Sequence, residues 1–393
     1  MDGSGGRWAS SGLAWLTGQP DGPPDHSRSV VLDRAETVAA EITAHLGVGL
    51  DVVAIMTGRA ALLGLHRGGR ISAGGATRLL TTRDGWCALT LSRPDDVDAV
   101  PALIEAATDD PWSAIERWAC RRSGDEVVDR ARLLDLPVAR LGETVAEPPR
   151  VSESGRRGAP RTAAGLLVAD LSSMWAGPLC GQILAAAGAT VVKVESPNRP
   201  DGPRAGDPTF YDWINHGKLS YAVDFTRDRD RLRALLMAAD IVIEGSRPGA
   251  LARHGLCPES LPGPDGRVWL RISGHGPNTR RVAFGDDAAV AGGLVGSSRG
   301  GPVFCADAVA DPLTGLESAL AVAQSLRRGG GEIIEVSMAR VAASYAALPA
   351  GPSLSLADAL PPQLPPATVP AAALGADNAA VEDLVSRRRS VPC

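Results

Sequence analysis

Aromatic residues are scarce, at 4% of the 393 residues, so stacking platforms for single-stranded nucleic acid have few candidates. The formal charge of −5 lacks the basic excess that phosphate-backbone binding needs, which excludes nucleic acid as an expected partner. No run of about 18 apolar residues is present, so no membrane span is expected. The start, Met1 to Gly6, has neither a basic region nor an apolar core, and no secretory signal is expected. The six cysteines (Cys87, Cys120, Cys180, Cys257, Cys305, Cys393) form no C-x-x-C pair, and none has a histidine at metal-ligand spacing. They read as reduced thiols of a cytoplasmic protein without a metal site. No G-x-G-x-x-G follows the strand opening at Gly165, and no Walker lysine motif exists, which disfavours a dinucleotide or nucleotide enzyme.

What is present is an ordinary globular balance of 44% apolar and 22% charged residues, in a chain long enough for two domains. A polar stretch from Glu147 to Arg161 has no apolar periodicity and divides residues 1–146 from 162–393 as a linker. The first part has helical spacing over Asp33–Leu46, Ala99–Ala106 and Trp112–Cys120, the last opening after Pro111. Asp84-Gly85 between two strand-like runs predicts a hairpin. In the second part, short apolar runs at Gly165–Asp170, Thr190–Glu195, Ile241–Glu244, Val268–Ser273 and Glu332–Ser337 alternate with helical segments. That alternation predicts a doubly wound, Rossmann-like α/β domain with a parallel sheet, preceded by a smaller α+β domain. Five prolines between Leu360 and Pro370 predict an extended surface run before a final helix near Asn378–Val385. One internal echo stands out. Ser11–Pro24 and Gly292–Pro302 both give Gly-Leu, a short spacer, then Gly and Pro.

Several motifs occur in a fixed order. They are Asp170-Leu-Ser-Ser-Met-Trp-Ala-Gly-Pro178, Gly188 to Glu195 ending Lys-Val-Glu, Asn215-His-Gly-Lys-Leu-Ser220 with Val223-Asp224, and Ala239 to Gly249 with Arg-Pro-Gly. Ile272-Ser-Gly274 and Asp311-Pro-Leu-Thr-Gly315 complete the series. Over about 170 residues this series resembles the class III (CaiB/BaiF) coenzyme A transferase family. Gly69–Leu141 resembles that family's small domain, which ordinarily follows the strand equivalent to Glu332–Ser337. Here it comes first, so the resemblance implies a permuted order derived from a fused pair. The Ser11–Pro24 echo then stands for the loop before the nucleophile of another copy.

The resemblance implies transfer of coenzyme A between an acyl-CoA donor and a carboxylic acid, with no permanently bound cofactor. Asp311 takes the position of the acyl-accepting carboxylate. Read from the residue alone, Asp311 is either a helix N-cap or a nucleophile kept ionised by the N-terminus of a helix starting near Leu313. Asp307 is the substitute. Gly292-Gly293 and the glycines of Arg67–Gly75 are candidate oxyanion donors. Carried over by position, Met174, Trp175, Ala176, Val223, Asp224, Gly245, Ser246, Arg247 and Arg253 would line the coenzyme A site, with arginine suited to phosphate. The segment Arg280–Asp287 has no histidine, which disfavours the racemase branch. The alternative function is a weakened family member that binds acyl-CoA or a partner subunit. Ordinary members form interlocked dimers. With a single linker between the parts, a homodimer or a pairing with a related chain held by surface burial alone is expected.

Overall fold

The computed structural model describes residues 3–354 and 358–390; Met1, Asp2 and Cys393 lie outside them. The chain opens with α1 (Gly3–Ser10), α2 (Val30–Leu46) and α3 (Val52–Leu62). Asp51 starts α3 by accepting the Ala54 amide at 3.0 Å. Next comes the hairpin of β1 (Thr77–Thr82) and β2 (Gly85–Thr90), turning at Arg83-Asp84. Four short helices follow: α4 (Pro94–Asp98), α5 (Val100–Ile104), α6 (Pro111–Ala119) and α7 (Gly124–Leu133). A reciprocal Ser123–Glu126 capping box starts α7, and Asp110 caps α6 ahead of Pro111. Strand β3 (Val138–Arg140) then pairs with β2.

The remainder alternates strand and helix. It contains β4 (Arg150–Glu153), β5 (Leu167–Leu171), α8 (Ala176–Ala186), β6 (Thr190–Glu195), α9 (Pro208–Asn215), β7 (Leu219–Ala222), α10 (Arg229–Ala238) and β8 (Ile241–Glu244). After these come β9 (Val268–Ser273), α11 (Gly285–Ala291), the β10–β11 hairpin (Val295–Ser298, Gly301–Phe304), α12 (Ala310–Arg327), β12 (Glu332–Ser337), α13 (Met338–Ala346) and α14 (Asn378–Ser390). The large sheet has the order β4-β12-β9-β8-β5-β6-β7. Six strands are parallel, and β4 is an antiparallel edge. Taken in chain order, the six parallel strands stand 3-2-1-4-5-6 across the sheet, the doubly wound arrangement. Every residue of β5 and β8 is buried, as a sheet covered on both faces requires. One face packs against α2, α3, α8, α12 and α13, the other against α10 and α14.

The packing divides the first 146 residues in two. Trp8, Leu32, Ile42 and Met56 join the core of the large sheet, beside Leu313 and Leu316. The β1-β2-β3 sheet and α4–α7 keep a core of their own, built on Leu89, Leu103, Ile115 and Val138. The expected linker contains β4, which pairs with β12 from Glu153–Glu332 to Arg150–Glu335. All four β4 residues are exposed, so no apolar alternation marks this edge strand. The helix expected over Ala99–Ala106 is the five-residue α5, preceded by a separate short helix, α4, that ends before Ala99.

The two echo segments lie side by side. Gln19 Nε2 donates to Ser298 Oγ at 3.2 Å, the Ser297 amide to Asp25 Oδ2 at 2.8 Å, and Arg28 Nε to the Val295 carbonyl at 2.8 Å. The proline-rich run has no regular structure. The Leu360 amide bonds the Ala9 carbonyl and the Ala371 amide bonds Asp212, which leads the chain from α1 to α14 beside β7. Among the described residues the cysteines are free thiols, no helix is long and apolar enough to cross a membrane, and no His/Cys/Asp/Glu group could hold a metal.

Candidate active site

Ligands in doubly wound sheets bind beyond the carboxyl ends of the strands, where the strand order reverses. Here that point lies between β5 and β8. The turn after β5 runs Ser172 to Trp175 into α8, and a buried ionic network fixes it. Lys193 of β6 pairs with Asp201 at 2.8 Å and donates to the Ser172 carbonyl. Asp201 Oδ1 in turn accepts the Met174 amide at 2.9 Å. Lys218 bonds Asp170 Oδ2 at 3.1 Å, the Pro178 carbonyl at 2.8 Å and Asn215 Oδ1 at 3.0 Å. Buried ion pairs of this kind fix geometry more than they add stability. The Asp170, Lys193 and Lys218 of the ordered motifs thus hold one turn in place.

The turn delivers the Ala176 amide to the carboxyl group of Asp311. Asp311 is the second residue of α12, which begins at Ala310 rather than near Leu313, and the α12 N-terminus has no side-chain cap. Asp311 is therefore not an N-cap. Its side chain reaches across to α8 and to the start of α11, where a Cβ on Gly285 would lie 2.4 Å from Asp311 Oδ2. Met174 (φ 70°), Ala306 (φ 54°) and Ala308 (φ 42°) adopt left-handed backbone just before α8 and α12. Such strain in non-glycine residues persists where the surroundings over-determine it.

Two further carboxylates, Asp307 and Asp286, and the cation Arg59 face Asp311, and Asp287 follows Asp286 in α11. Asp307 binds Arg59 Nη1 through both oxygens, at 2.6 and 2.7 Å. This ion pair occupies Asp307, the substitute nucleophile. Asp286 Oδ1 accepts the Ala308 amide at 3.0 Å. Asp287 Oδ1 accepts the Phe284 amide and the Thr90 hydroxyl, while its buried Oδ2 has no partner among the described residues. The Arg59 guanidinium lies 5.9 Å from the Trp175 ring and 5.4 Å from the Phe210 ring, and those two rings meet edge to face. A Cβ added to Gly74 of the Arg67–Gly75 loop would lie 3.5 Å from Arg59 Nη2.

Burial dominates the charges. It pushes Asp311 up to about 7, while Arg59 and the Ala176 amide pull down and Asp286 and Asp307 push further up. The helix N-terminus thus does not keep Asp311 at an ordinary carboxylate value, contrary to the sequence expectation. Burial together with Asp307 raises Asp286 to about 6, and burial raises Asp287 to about 7. His275 is buried and pushed down to about 3, and neither ring nitrogen has a hydrogen-bond partner among the described residues.

The remaining residues singled out in the sequence fall in two groups. Met174, Trp175 and Ala176 follow β5, and Gly245, Ser246 and Arg247 follow the neighbouring β8, so the fold brings these six to one end of the sheet. Trp175 is buried, and its indole N–H has no partner among the described residues. Arg247 reaches Asp135 of the small unit at 2.9 Å, and Ser246 donates to Glu244. Arg253 is exposed and has no acidic partner among the described residues. Val223 and Asp224 follow the edge strand β7; Val223 is wholly buried, and Asp224 Oδ1 accepts the Thr226 and Arg227 amides. Gly292 and Gly293 fit the oxyanion expectation poorly. Their amides close the end of α11 on Ala288 and Val290, and a Cβ on Gly292 would lie 2.4 Å from the Ala343 nitrogen of α13.

Sequence reasoning missed Arg59, Asp286 and Asp287. A signal for Arg59 was available: it is the one charged residue in the otherwise apolar α3.

The model of the family described as CoA-transferase family III matches residues 164–369. Over 200 residues the chain is 33% identical to succinate–glutarate CoA-transferase of Agrobacterium fabrum, covering 44% of this chain and 50% of that protein. It is 29% identical over 199 residues to succinyl-CoA–D-citramalate CoA-transferase of Chloroflexus aurantiacus, covering 46% and 50%. The crystal structure of a CaiB/BaiF family protein from Brucella suis is 31% identical with a TM-score of 0.44, covering 49% of this chain and 56% of that one. The chain spans about half the length of the curated relatives it matches.

Proposed function

The chain belongs to CoA-transferase family III, and from that premise we propose that it moves coenzyme A from an acyl-CoA donor to a carboxylic acid, with Asp311 as the acyl acceptor. The observation that carries this reading is the convergence of the α8 and α12 N-termini on one buried carboxyl group at the point where the strand order reverses. In the first step an Asp311 oxygen attacks the thioester carbonyl. The C–S bond breaks, the coenzyme A thiolate leaves, and a mixed anhydride links the acyl group to Asp311. The thiolate then attacks the Asp311 carbonyl, releases the donor acid and leaves an aspartyl thioester. The acceptor carboxylate attacks that thioester, expels the thiolate and forms a second anhydride. Attack of the thiolate on the acceptor's carbonyl frees the new acyl-CoA and restores Asp311. Covalent catalysis divides one hard exchange into such paired steps.

The attacking form is the carboxylate. Burial raises Asp311 above the ordinary carboxylate range, so that form is scarcer at neutral pH than for an exposed aspartate. Met174, Trp175, Ala176, Val223, Asp224, Gly245, Ser246, Arg247 and Arg253 are proposed to line the coenzyme A site, and the exposed Arg253 is free to meet a phosphate. The glycines of the Arg67–Gly75 loop are proposed as oxyanion donors in place of Gly292-Gly293. The test is exchange of labelled coenzyme A by Asp311→Ala. Loss of exchange with an unchanged circular-dichroism spectrum supports the assignment, and exchange at the parent rate removes it.

A further inference from the structure

The residues matched by the family begin at 164, yet the cation beside Asp311 comes from α3, more than a hundred residues earlier. Asp311 sits in a cluster of charged groups from three elements. Arg59 of α3 grips Asp307, four residues ahead of Asp311; Asp286 of α11 accepts the Ala308 amide; and a Cβ on its neighbour Gly285 would lie 2.4 Å from Asp311 Oδ2. The α8 segment that meets Asp311 has no charged side chain and contributes the Ala176 amide. Of the other elements packed on α12, α2 directs Arg34 to Glu317 and α13 directs Arg340 to Glu147. The charged side chains of β9 and β12 also point away, Arg271 to Glu244 and Glu259, and Glu332 to Arg328. Among the described residues Arg59 is thus the one cation facing Asp311, against two further carboxylates.

Three residues hold Arg59 in place. Asp307 grips Nη1 through both oxygens, and Trp175 and Phe210 flank the guanidinium. A long side chain fixed on three sides has given up its rotamer freedom, which is expected where its position matters.

We propose that Arg59, aimed by Asp307, is the positioning residue that keeps Asp311 available as a carboxylate, so that the N-terminal segment outside the matched residues completes the active site. The proposal rests on the reading of Asp311 as the acyl acceptor. Arg59 stabilises negative charge on Asp311, and Asp307 has two opposed effects. It holds Arg59 in the site but draws on its charge, and its own charge opposes ionisation of Asp311. Removing Arg59 must therefore make Asp311 harder to ionise, whereas Asp307→Asn, which keeps an oxygen to accept from Arg59 Nη1 and removes only the charge, must make it easier.

The experiment is a carboxyl-carbon NMR titration of the full chain labelled with carbon-13 at the aspartate carboxyl groups. The Asp311 signal is assigned by its loss in Asp311→Asn. Arg59→Met should raise its midpoint by about one pH unit or more, and Asp307→Asn should lower it. Arg59→Lys, which keeps the charge without the planar fork, should fall between the parent and Arg59→Met. The acid limb of kcat/KM for coenzyme A exchange should move with the midpoint in each variant. A role confined to packing Trp175 and Phe210 would not shift Asp311 in opposite directions. A midpoint unmoved in both variants, or moved the same way in both, overturns the proposal. Should Arg59→Met fail to fold, Asp307→Asn and Arg59→Lys still decide it. If Asp311→Asn exchanges coenzyme A like the parent, the acyl-acceptor reading fails on its own, while the titration still reports on Arg59.

Discussion

Asp287 offers a measure of the charge buried near the site that alters neither Asp311 nor Arg59. It is wholly inaccessible, its Oδ1 takes two donors and its Oδ2 takes none among the described residues. Burial moves it from 3.8 to about 7. The folded state therefore holds the proton more tightly than the unfolded chain does. The stability this contributes is fully present below about 3.8, falls as pH rises, and is lost above about 7. Each pH unit of displacement corresponds to about 1.4 kcal/mol, so the interval from pH 5 to pH 8 spans about 3 kcal/mol of loss. Asp287→Asn keeps the acceptor oxygen for Phe284 and Thr90 and cannot ionise. Its new N–H donors lack a partner, which costs about 1–3 kcal/mol at every pH. The variant should therefore be less stable than the parent at pH 5 and should gain on it by about 2–3 kcal/mol at pH 8. Urea unfolding at the two pH values, with matched slopes, gives this difference directly. The same parent-to-variant gap at pH 5 and pH 8 would refute the reasoning.

Arg253→Ala should weaken coenzyme A binding by about 1.5–3 kcal/mol if its guanidinium bonds a phosphate, and unchanged affinity in calorimetry would remove it from the site. Lys193→Met leaves Asp201 buried without its cation and should cost about 3–5 kcal/mol, read as a fall in the unfolding midpoint; a shift below 1 kcal/mol would show that the turn after β5 is held otherwise. Because α1–α3 pack in the core of the large sheet, the chain crosses to the β1-β2-β3 unit before β1 and returns through β4, so the single crossing expected from the sequence is not found; a dimer threaded through these two crossings should persist on dilution until the chain unfolds, and sedimentation that finds reversible dissociation would show contact by surface burial alone.

The parallel sheet was legible because β5, β8 and β12 are continuous apolar runs between helical segments, the pattern that burial on both faces imposes. Strand β4 was not, since Arg150–Glu153 lies exposed on an edge and its pairing with β12 depends on backbone groups alone. Asp311 was legible from the motifs ordered around it, but its charge was not. The helix-terminus argument considers one helix, whereas α8, α11 and α12 together remove the water that would keep the group ionised. Arg59 stood out as the charge within α3, but its pairing was out of reach: its partner Asp307 lies 248 residues away, and no local pattern links them. Gly292-Gly293 misled because glycine at a helix end serves close packing as readily as it offers a free amide, and here Ala343 fills the space.

The central claim is that Asp311 takes the acyl group, and covalent trapping tests it most directly. The protein is incubated with an acyl-CoA and hydroxylamine, digested, and its peptides are examined by mass spectrometry. Hydroxylamine attacks an aspartyl anhydride or thioester and leaves a hydroxamate on the residue that carried it. The account predicts a hydroxamate at Asp311 only when acyl-CoA is present, and none in Asp311→Asn. A hydroxamate at Asp286, Asp287 or Asp307 instead, or coenzyme A exchange with Asp311 unmodified, would contradict it.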